Sequence, residues 1–223
     1  MLLPRLQRLQ LGHVSAPLDL LADLPSLKEL ELHPLACGSH ALDTRITLPA
    51  LEGLTVFLSH ERHLPGALDV MAACPNLTHL DLTNNADYIG PEHQPRVFHA
   101  LTGLSRIQRL SMSLNTFELA IQEAAQRGRD DLLPALRSLR LKCNRRRLEI
   151  EQVLGWASGL TELQLWQADG ICAAFVDALP GCLRSLELHE CRVDQEVRGL
   201  GNRCVRSQPR SLLPAHPEGV EKE

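Results

Sequence analysis

Aromatic side chains and long hydrophobic runs are both scarce in this chain of 223 residues. Four Phe, two Trp and one Tyr make up 3% of the sequence. A membrane-spanning helix needs roughly 20 consecutive apolar residues, and no segment approaches that length. Residues 1–11 carry Arg5 and Arg8 among their leucines and lack the apolar stretch and small-residue cleavage site of a secretory signal. We therefore expect an intracellular protein, cytoplasmic or nuclear, with no membrane partner.

Paired cysteines and an excess of one charge are also lacking. The seven cysteines are an odd number without a CxxC pair, which is typical of reduced thiols inside the cell rather than of a disulfide framework. Lys and Arg total 23 against 27 Asp and Glu, a formal charge of −4. This balance gives no general attraction to nucleic acids or anionic membranes, so we expect no nucleic-acid partner.

The short motifs that carry catalysis or bind cofactors are missing as well. The sequence contains no GxxxxGK(S/T) phosphate loop, no GxGxxG and no GxSxG nucleophile turn. The segment His60–His63 (HERH) is close to a zinc-protease helix. That motif, HExxH, needs its histidines four residues apart so that both imidazoles share one helical face, and here they are three apart. We expect no enzymatic activity, no metal and no cofactor.

Leucine is the dominant residue, with 45 copies. Eight segments contain L-x-x-L-x-L or a near substitute, at steps of 21 to 30 residues, and their first apolar positions are Leu6, Leu27, Leu51, Leu77, Ile107, Leu136, Leu160 and Leu183. A motif recurring at such steps is typical of a repeat architecture. The alternation x-L-x-L-x in each copy predicts a short strand whose leucines point to one side.

The segments between these strands must return the chain to the next parallel strand. Apolar residues at intervals of three and four predict helices over Pro17–Asp23, Ala67–Ala73, Phe117–Arg127, Leu148–Ala157 and Ile171–Leu179. The return His60–Pro65 is short and polar. Pro34–Ile46 and Asp87–Arg96 are interpreted as loops, the latter because it holds two prolines and a glycine. Residues 201–223 lose the repeat and are expected to be a polar, disordered tail.

Residues 3–195 resemble the leucine-rich repeat (LRR) family. The family's signature places Asn or Cys three positions after its last leucine, and Asn85, Asn115, Asn144 and Cys191 occupy that position. The resemblance implies an α/β solenoid, or horseshoe, of about eight repeats over residues 1–200. Its parallel strands would line the concave face, and helices or irregular turns would form the convex face. The first repeat begins almost at Met1, so we expect a partner or an upstream segment to cover it.

The cysteine-containing copies resemble those of F-box/LRR proteins, the substrate receptors of cullin-type ubiquitin ligases. The resemblance rests on Cys74-Pro75-Asn76-Leu77 and on the copy that ends at Cys191. The F-box, a helical segment that precedes the repeats in that family, is not found ahead of Leu3. A cullin-ligase adaptor is therefore expected as a partner only if an upstream F-box exists.

Strand alternation places three columns of side chains on the face opposite the leucines. The first column is Arg8, Glu29, Gly53, His79, Arg109, Ser138, Glu162 and Ser185. The central column is Gln10, Glu31, Thr55, Asp81, Ser111, Arg140, Gln164 and Glu187. The third column is Gly12, His33, Phe57, Thr83, Ser113, Lys142, Trp166 and His189.

From these columns we predict a site that binds another protein, formed by Phe57, His79, Asp81, Arg109, Arg140, Lys142, Gln164 and Trp166. Exposed Phe and Trp are typical interface anchors, although a long loop folded over each ring would also explain them. The basic middle, flanked by acidic ends, fits an acidic peptide or is a solvated face. The leading hypothesis is substrate recognition in an F-box/LRR-like ubiquitin-ligase receptor. The alternative is a free-standing LRR scaffold, similar to ribonuclease inhibitor or a GTPase regulator, that engages its partner through its ends or outer helices.

Overall fold

A computed structural model describes residues 3–12, 18–33, 47–58, 63–84, 90–129, 132–146, 156–193 and 205–207. Within them, nine strands form one parallel sheet in the order in which they occur along the chain. They are β1 Arg8–Leu11, β2 Glu29–Leu32, β3 Gly53–Leu58, β4 His79–Asn84, β5 Arg109–Ser113, β6 Ser138–Lys142, β7 Glu162–Trp166, β8 Ser185–His189 and β9 Val205–Ser207.

The leucines of successive strands are in register. One row that runs from β1 to β8 consists of Leu9, Leu30, Leu54, Leu80, Leu110, Leu139, Leu163 and Leu186. From Leu30 onward, every member of this row is at most 4% exposed. Intervening residues such as Glu29, Thr55 and Arg140 remain on the other face. The predicted alternation and register of the strands are therefore confirmed.

Among the described residues, four α-helices pack against the leucine face of the sheet: α1 Leu64–Ala72, α2 Gln94–Thr102, α3 Leu114–Gln126 and α4 Ala173–Asp177. Their apolar sides share one core with the strand leucines, as Met71, Leu101, Phe117 and Phe175 illustrate. Helices thus cover one side of the sheet and leave the polar columns on the other. The predicted α/β class with a single parallel sheet is confirmed.

Three of the predicted helices are present with shifted ends. Helix α1 begins at Leu64 rather than Ala67, α3 begins at Leu114 rather than Phe117, and α4 is shorter than Ile171–Leu179. The predicted helix at Pro17–Asp23 is a 3-10 helix, Leu18–Asp23. Most of Leu148–Ala157 lies outside the described residues, as do the predicted loop Pro34–Ile46 and Asn85.

The interpretation of Asp87–Arg96 as a loop was wrong in its second half. Pro91–His93 forms a 3-10 helix, and α2 begins at Gln94. Pro95 lies in the first turn of α2, where proline is tolerated because the N–H that it lacks has no helical partner there. Pro65 has the same place in α1, which therefore begins inside the return His60–Pro65.

The sheet continues into the segment predicted as a tail. Val205 and Ser207 of β9 are in register with Leu186 and Leu188 of β8. The rest of residues 201–223 lies outside the described residues.

Candidate functional site

A groove with a volume of about 670 Å³ runs along the polar face of the sheet. We call it the strand groove, and it is lined by side chains of the first and central columns from Arg8 in β1 to Gln164 in β7. The predicted residues His79, Asp81, Arg109, Arg140 and Gln164 all line it. Successive residues of a strand point to opposite faces of the sheet. Because the leucines point into the core, the residues between them form the floor of the groove.

At the end near β1, the basic side chains of the strand groove are paired with carboxylates. Arg8 Nε lies 3.5 Å from Glu29 Oε2, and Lys28 Nζ lies 3.1 Å from Glu52 Oε1. Gln10 Nε2 donates to Glu31 Oε1 at 3.2 Å. These contacts join neighbouring strands, so the charges at this end largely satisfy one another.

The middle of the strand groove is more basic. Arg140 Nε donates to Gln164 Oε1 at 2.7 Å, across β6 and β7. Arg109 is exposed, and within the described residues its guanidinium makes no ion pair or hydrogen bond. Ser111 and Ser138 lie beside these arginines in register and also line the groove. Their hydroxyls were not among the predicted site residues, although they lie in the predicted columns.

The two predicted aromatic anchors differ in exposure. Trp166 is 37% exposed, and its ring stacks on the imidazole of His189 at a centroid distance of 4.2 Å. Phe57 is only half-buried rather than openly exposed, because the His33 ring stacks on it at 4.4 Å. The ring that covers Phe57 is thus a neighbouring side chain of the third column. Phe57 is therefore partly exposed, and the group that covers it in the described residues is a side chain rather than a loop.

Carboxylates hold both stacking histidines. His33 Nε2 lies 2.9 Å from Glu31 Oε1, and His189 Nε2 lies 3.3 Å from Glu187 Oε2. A carboxylate two residues earlier in the chain thus holds each imidazole, and each imidazole stacks on an aromatic ring of a neighbouring strand. Phe57, Trp166 and the predicted Lys142 belong to the third column and do not line the strand groove. The eight predicted residues thus divide between the groove and its rim.

Cys191 lies in the turn that leaves β8. The Ala168 N–H donates to Cys191 Sγ at 3.4 Å, and this thiol reaches the Leu165 carbonyl at 3.4 Å. A cysteine side chain thus satisfies backbone groups of the preceding turn. Burial raises the pKa of Cys191, and it raises the pKa of Cys74 and of Cys143 to about 12. These protonated thiols have structural roles.

Metal-ligating groups do not cluster in the part of the chain that the structure describes. His60 and Glu61 of the HERH segment lie outside that part, and His63 is buried at the start of α1. None of the helices in the described ranges has the length and apolarity to cross a membrane. No model of a known protein family matches the chain, and no curated protein matches it either.

Proposed function

We propose that this chain is a leucine-rich-repeat solenoid that binds an extended segment of another protein in the strand groove. The observation that carries the proposal is the groove itself, in which seven successive strands contribute polar side chains to one continuous surface. Six strand spacings of roughly 4.8 Å give the groove a length of about 29 Å. That length suits a polypeptide of several residues.

The chemistry of the groove favours a protein over a small molecule. Small-molecule sites are mostly apolar and enclose their ligand, with a few polar groups for orientation. Here the floor is lined by charged and hydroxyl side chains such as Glu31, Asp81 and Arg109. Trp166 adds an exposed aromatic side chain at the rim. Polar complementarity together with an aromatic anchor is typical of a protein–protein interface.

The strand groove is also held in its binding geometry before any partner arrives. Its side chains are borne on hydrogen-bonded strands, and several are fixed by neighbours, as Arg140 is by Gln164. A surface that is already ordered avoids the entropy cost of ordering side chains upon binding. This rigidity supports recognition of a segment by side chains at fixed spacings.

Substrate recognition in an F-box/LRR-like ubiquitin ligase is the more specific form of this proposal. Its support is the cysteine-containing repeat, in which the Cys191 thiol accepts a hydrogen bond from the Ala168 N–H and donates to the Leu165 carbonyl. The test is co-purification of the endogenous protein with a cullin and its adaptor. Their absence would remove the ligase role and leave the binding role of the strand groove intact.

The groove proposal is tested by site-specific photo-crosslinking in cells. A photo-reactive amino acid at Thr55, on the floor of the groove, should capture a partner. The matched control is the same amino acid at Gln122, an exposed position of α3 on the helical side. A distinct product from position 55 that an added Trp166→Ala substitution weakens is expected. Identical products from both positions would refute the proposal.

A second candidate is binding through the first strand, as in a scaffold that engages its partner by an end. Leu3 is 55% exposed, and Leu9 and Leu11 of β1 are only half-buried, unlike their counterparts in β2. Such an apolar edge is a docking surface for another polypeptide. A photo-reactive amino acid at Arg5 would then capture the partner, and Trp166→Ala would leave that product unchanged.

A further inference from the structure

Four side chains in the middle of the strand groove form a block of two arginines and two serines. Arg109 is in register with Ser138, and Ser111 is in register with Arg140. Neighbouring strands are roughly 4.8 Å apart, and alternate residues of one strand roughly 6.6 Å apart. The two arginines therefore occupy opposite corners of a small rectangle, and the two serines occupy the others. We call these four residues the anion block.

The anion block keeps free hydrogen-bond donors, in contrast to the end of the groove near β1. Within the described residues, the Arg109 guanidinium has no hydrogen-bond or ion-pair partner. Arg140 donates only from its Nε, so both of its Nη groups remain available to donate hydrogen bonds. The hydroxyls of Ser111 and Ser138 likewise have no hydrogen-bond partner there. By comparison, Arg8 and Lys28 are paired with glutamates. The block is therefore the part of the groove with unsatisfied positive charge.

We infer that the anion block binds the phosphate of a phosphorylated side chain in the partner's segment; the inference rests on the proposed function of the groove. A phosphate monoester carries a charge of about −1.5 to −2 and three acceptor oxygens. Two guanidiniums balance that charge, and their N–H groups and the serine hydroxyls supply the donors. Arginine suits this task because its planar fork donates two parallel hydrogen bonds to a phosphate.

The surroundings of the block select a single dianion over a run of acidic residues. Asp81 is in register with Ser111 on one side, and Glu162 is in register with Ser138 on the other. These carboxylates would repel further anions placed beside the first one. A partner segment with several adjacent Asp or Glu residues is thus disfavoured, whereas one phosphate with neutral or basic neighbours fits.

The experiment uses the purified full chain and three immobilised peptide mixtures. Each mixture has random flanks and a fixed central residue, which is phosphoserine, serine or glutamate. At physiological ionic strength, we expect the phosphoserine mixture to retain the protein and the other two to retain much less. The double variant Arg109→Gln, Arg140→Gln should bind the phosphoserine mixture on the order of tenfold more weakly or worse.

The matched control is Arg106→Gln, Arg129→Gln, which makes the same change in net charge. Both of these arginines are exposed and neither lines the strand groove. This control should bind the phosphoserine mixture as the unmodified protein does. The variant Ser111→Ala, Ser138→Ala should weaken binding too. Because it leaves the net charge unchanged, a loss of affinity shows that the serine hydroxyls donate hydrogen bonds to the phosphate. Urea unfolding of each variant verifies that it is folded.

Three results would overturn the inference. They are equal retention by the serine and phosphoserine mixtures, equal retention by the glutamate mixture, and equal loss in the control variant. The cross-link from position 55 then distinguishes the two proposals. If that cross-link persists, the groove still binds a partner and only its phosphate specificity is refuted. If it is absent as well, the proposed function fails independently.

Discussion

Trp166 combines exposure with a fixed orientation, because the His189 ring supports one side of the indole. We predict that Trp166→Ala lowers the affinity for the groove partner by roughly 2 kcal/mol or more, as is typical of an aromatic hot spot. The free energy of unfolding should fall by only about 0.5–1.5 kcal/mol, the contribution of one aromatic stack. The yield of the cross-link from Thr55 measures the first effect, and urea unfolding measures the second.

The comparison variant for Trp166→Ala is Gln122→Ala in the exposed part of α3. It should change neither the cross-link nor the free energy of unfolding. A Trp166→Ala protein that keeps its full cross-link would show that the indole is not an anchor. A protein that unfolds would show instead that the ring is needed for the stability of β7 and β8.

Cys74 and Cys143 make stability depend on pH. Burial raises the pKa of each thiol from 9.0 to about 12, so above about pH 9 these thiols ionise in the unfolded chain but stay protonated in the folded one. The folded state then binds more protons, and stability falls with rising pH, by up to about 1.4 kcal/mol per pH unit for each thiol. Below pH 9 both thiols are protonated in the folded and the unfolded chain, so their contribution to the free energy of unfolding is fully present.

The prediction is tested by urea unfolding at several pH values between 8 and 11. Lysine and tyrosine also titrate there, so the informative quantity is the difference in stability between the unmodified chain and Cys74→Ala. This difference should shrink by about 1 kcal/mol per pH unit above pH 9. Ser105→Ala, which removes no titrating group and lies in an exposed turn, supplies the control, since its difference from the unmodified chain should stay constant. A constant difference for Cys74→Ala would contradict the shifted pKa.

Among the helices, α3 has a side-chain cap. Ser113 ends β5 and accepts a hydrogen bond from the Thr116 N–H at 3.2 Å, so one hydroxyl marks both the end of the strand and the start of the helix. We predict that Ser113→Ala lowers the free energy of unfolding by about 1 kcal/mol, the usual loss for such a cap. Ser105→Ala, in an exposed turn, should be neutral. Equal stabilities would show that the cap contributes nothing.

Helix α3 also ends on a specific residue. Gly128 follows it with φ of 64° and no atom within 4 Å of an added Cβ. Gly181 has the same open space but lacks the positive φ. We predict that Gly128→Ala costs about 1 kcal/mol or somewhat more through backbone strain alone, and that Gly181→Ala is neutral or slightly stabilising. Thermal unfolding of both variants checks this, and equal melting temperatures would contradict it.

Strands β1 to β8 could be predicted from sequence because leucine spacing determines both their positions and their buried faces. Glu29, Gly53 and His79 fall into one register as the alternation requires. Helix α2 was not predicted, because Pro91 and Pro95 are typical of loops. Only its contacts with the core show that Val97 and Leu101 are buried and that the proline lies in a first turn.

The sequence predicts which side chains of the candidate site share a column, but not which of them form ion pairs, hydrogen bonds or ring stacks. Alternation places Arg109 and Arg140 on the polar face. Within the described residues, no carboxylate pairs with Arg109, and this depends on side-chain conformations that the sequence does not specify. The same limit applies to Phe57. Its exposure is set by the ring of His33, whose stacking the order of residues does not reveal.

The described part of the molecule is built on one open sheet, in which each inner strand pairs with its two neighbours. Stability in such an arrangement is approximately the sum of local terms between adjacent layers. The inner strands bury their leucines fully, whereas Leu9 and Leu11 in β1 remain half-exposed. The contribution of one leucine should therefore depend on its place along the sheet.

Leu9 and Leu139 provide a matched test, because they occupy the same row of the register on β1 and β6. Leu139 is 0% exposed, so Leu139→Ala should cost about 2–5 kcal/mol through lost burial and the cavity left behind. Leu9 already contacts solvent, and Leu9→Ala should cost less than about half as much. Equal losses in urea unfolding would mean that β1 is buried as deeply as the inner strands. That result would also remove the exposed edge on which binding through the first strand depends.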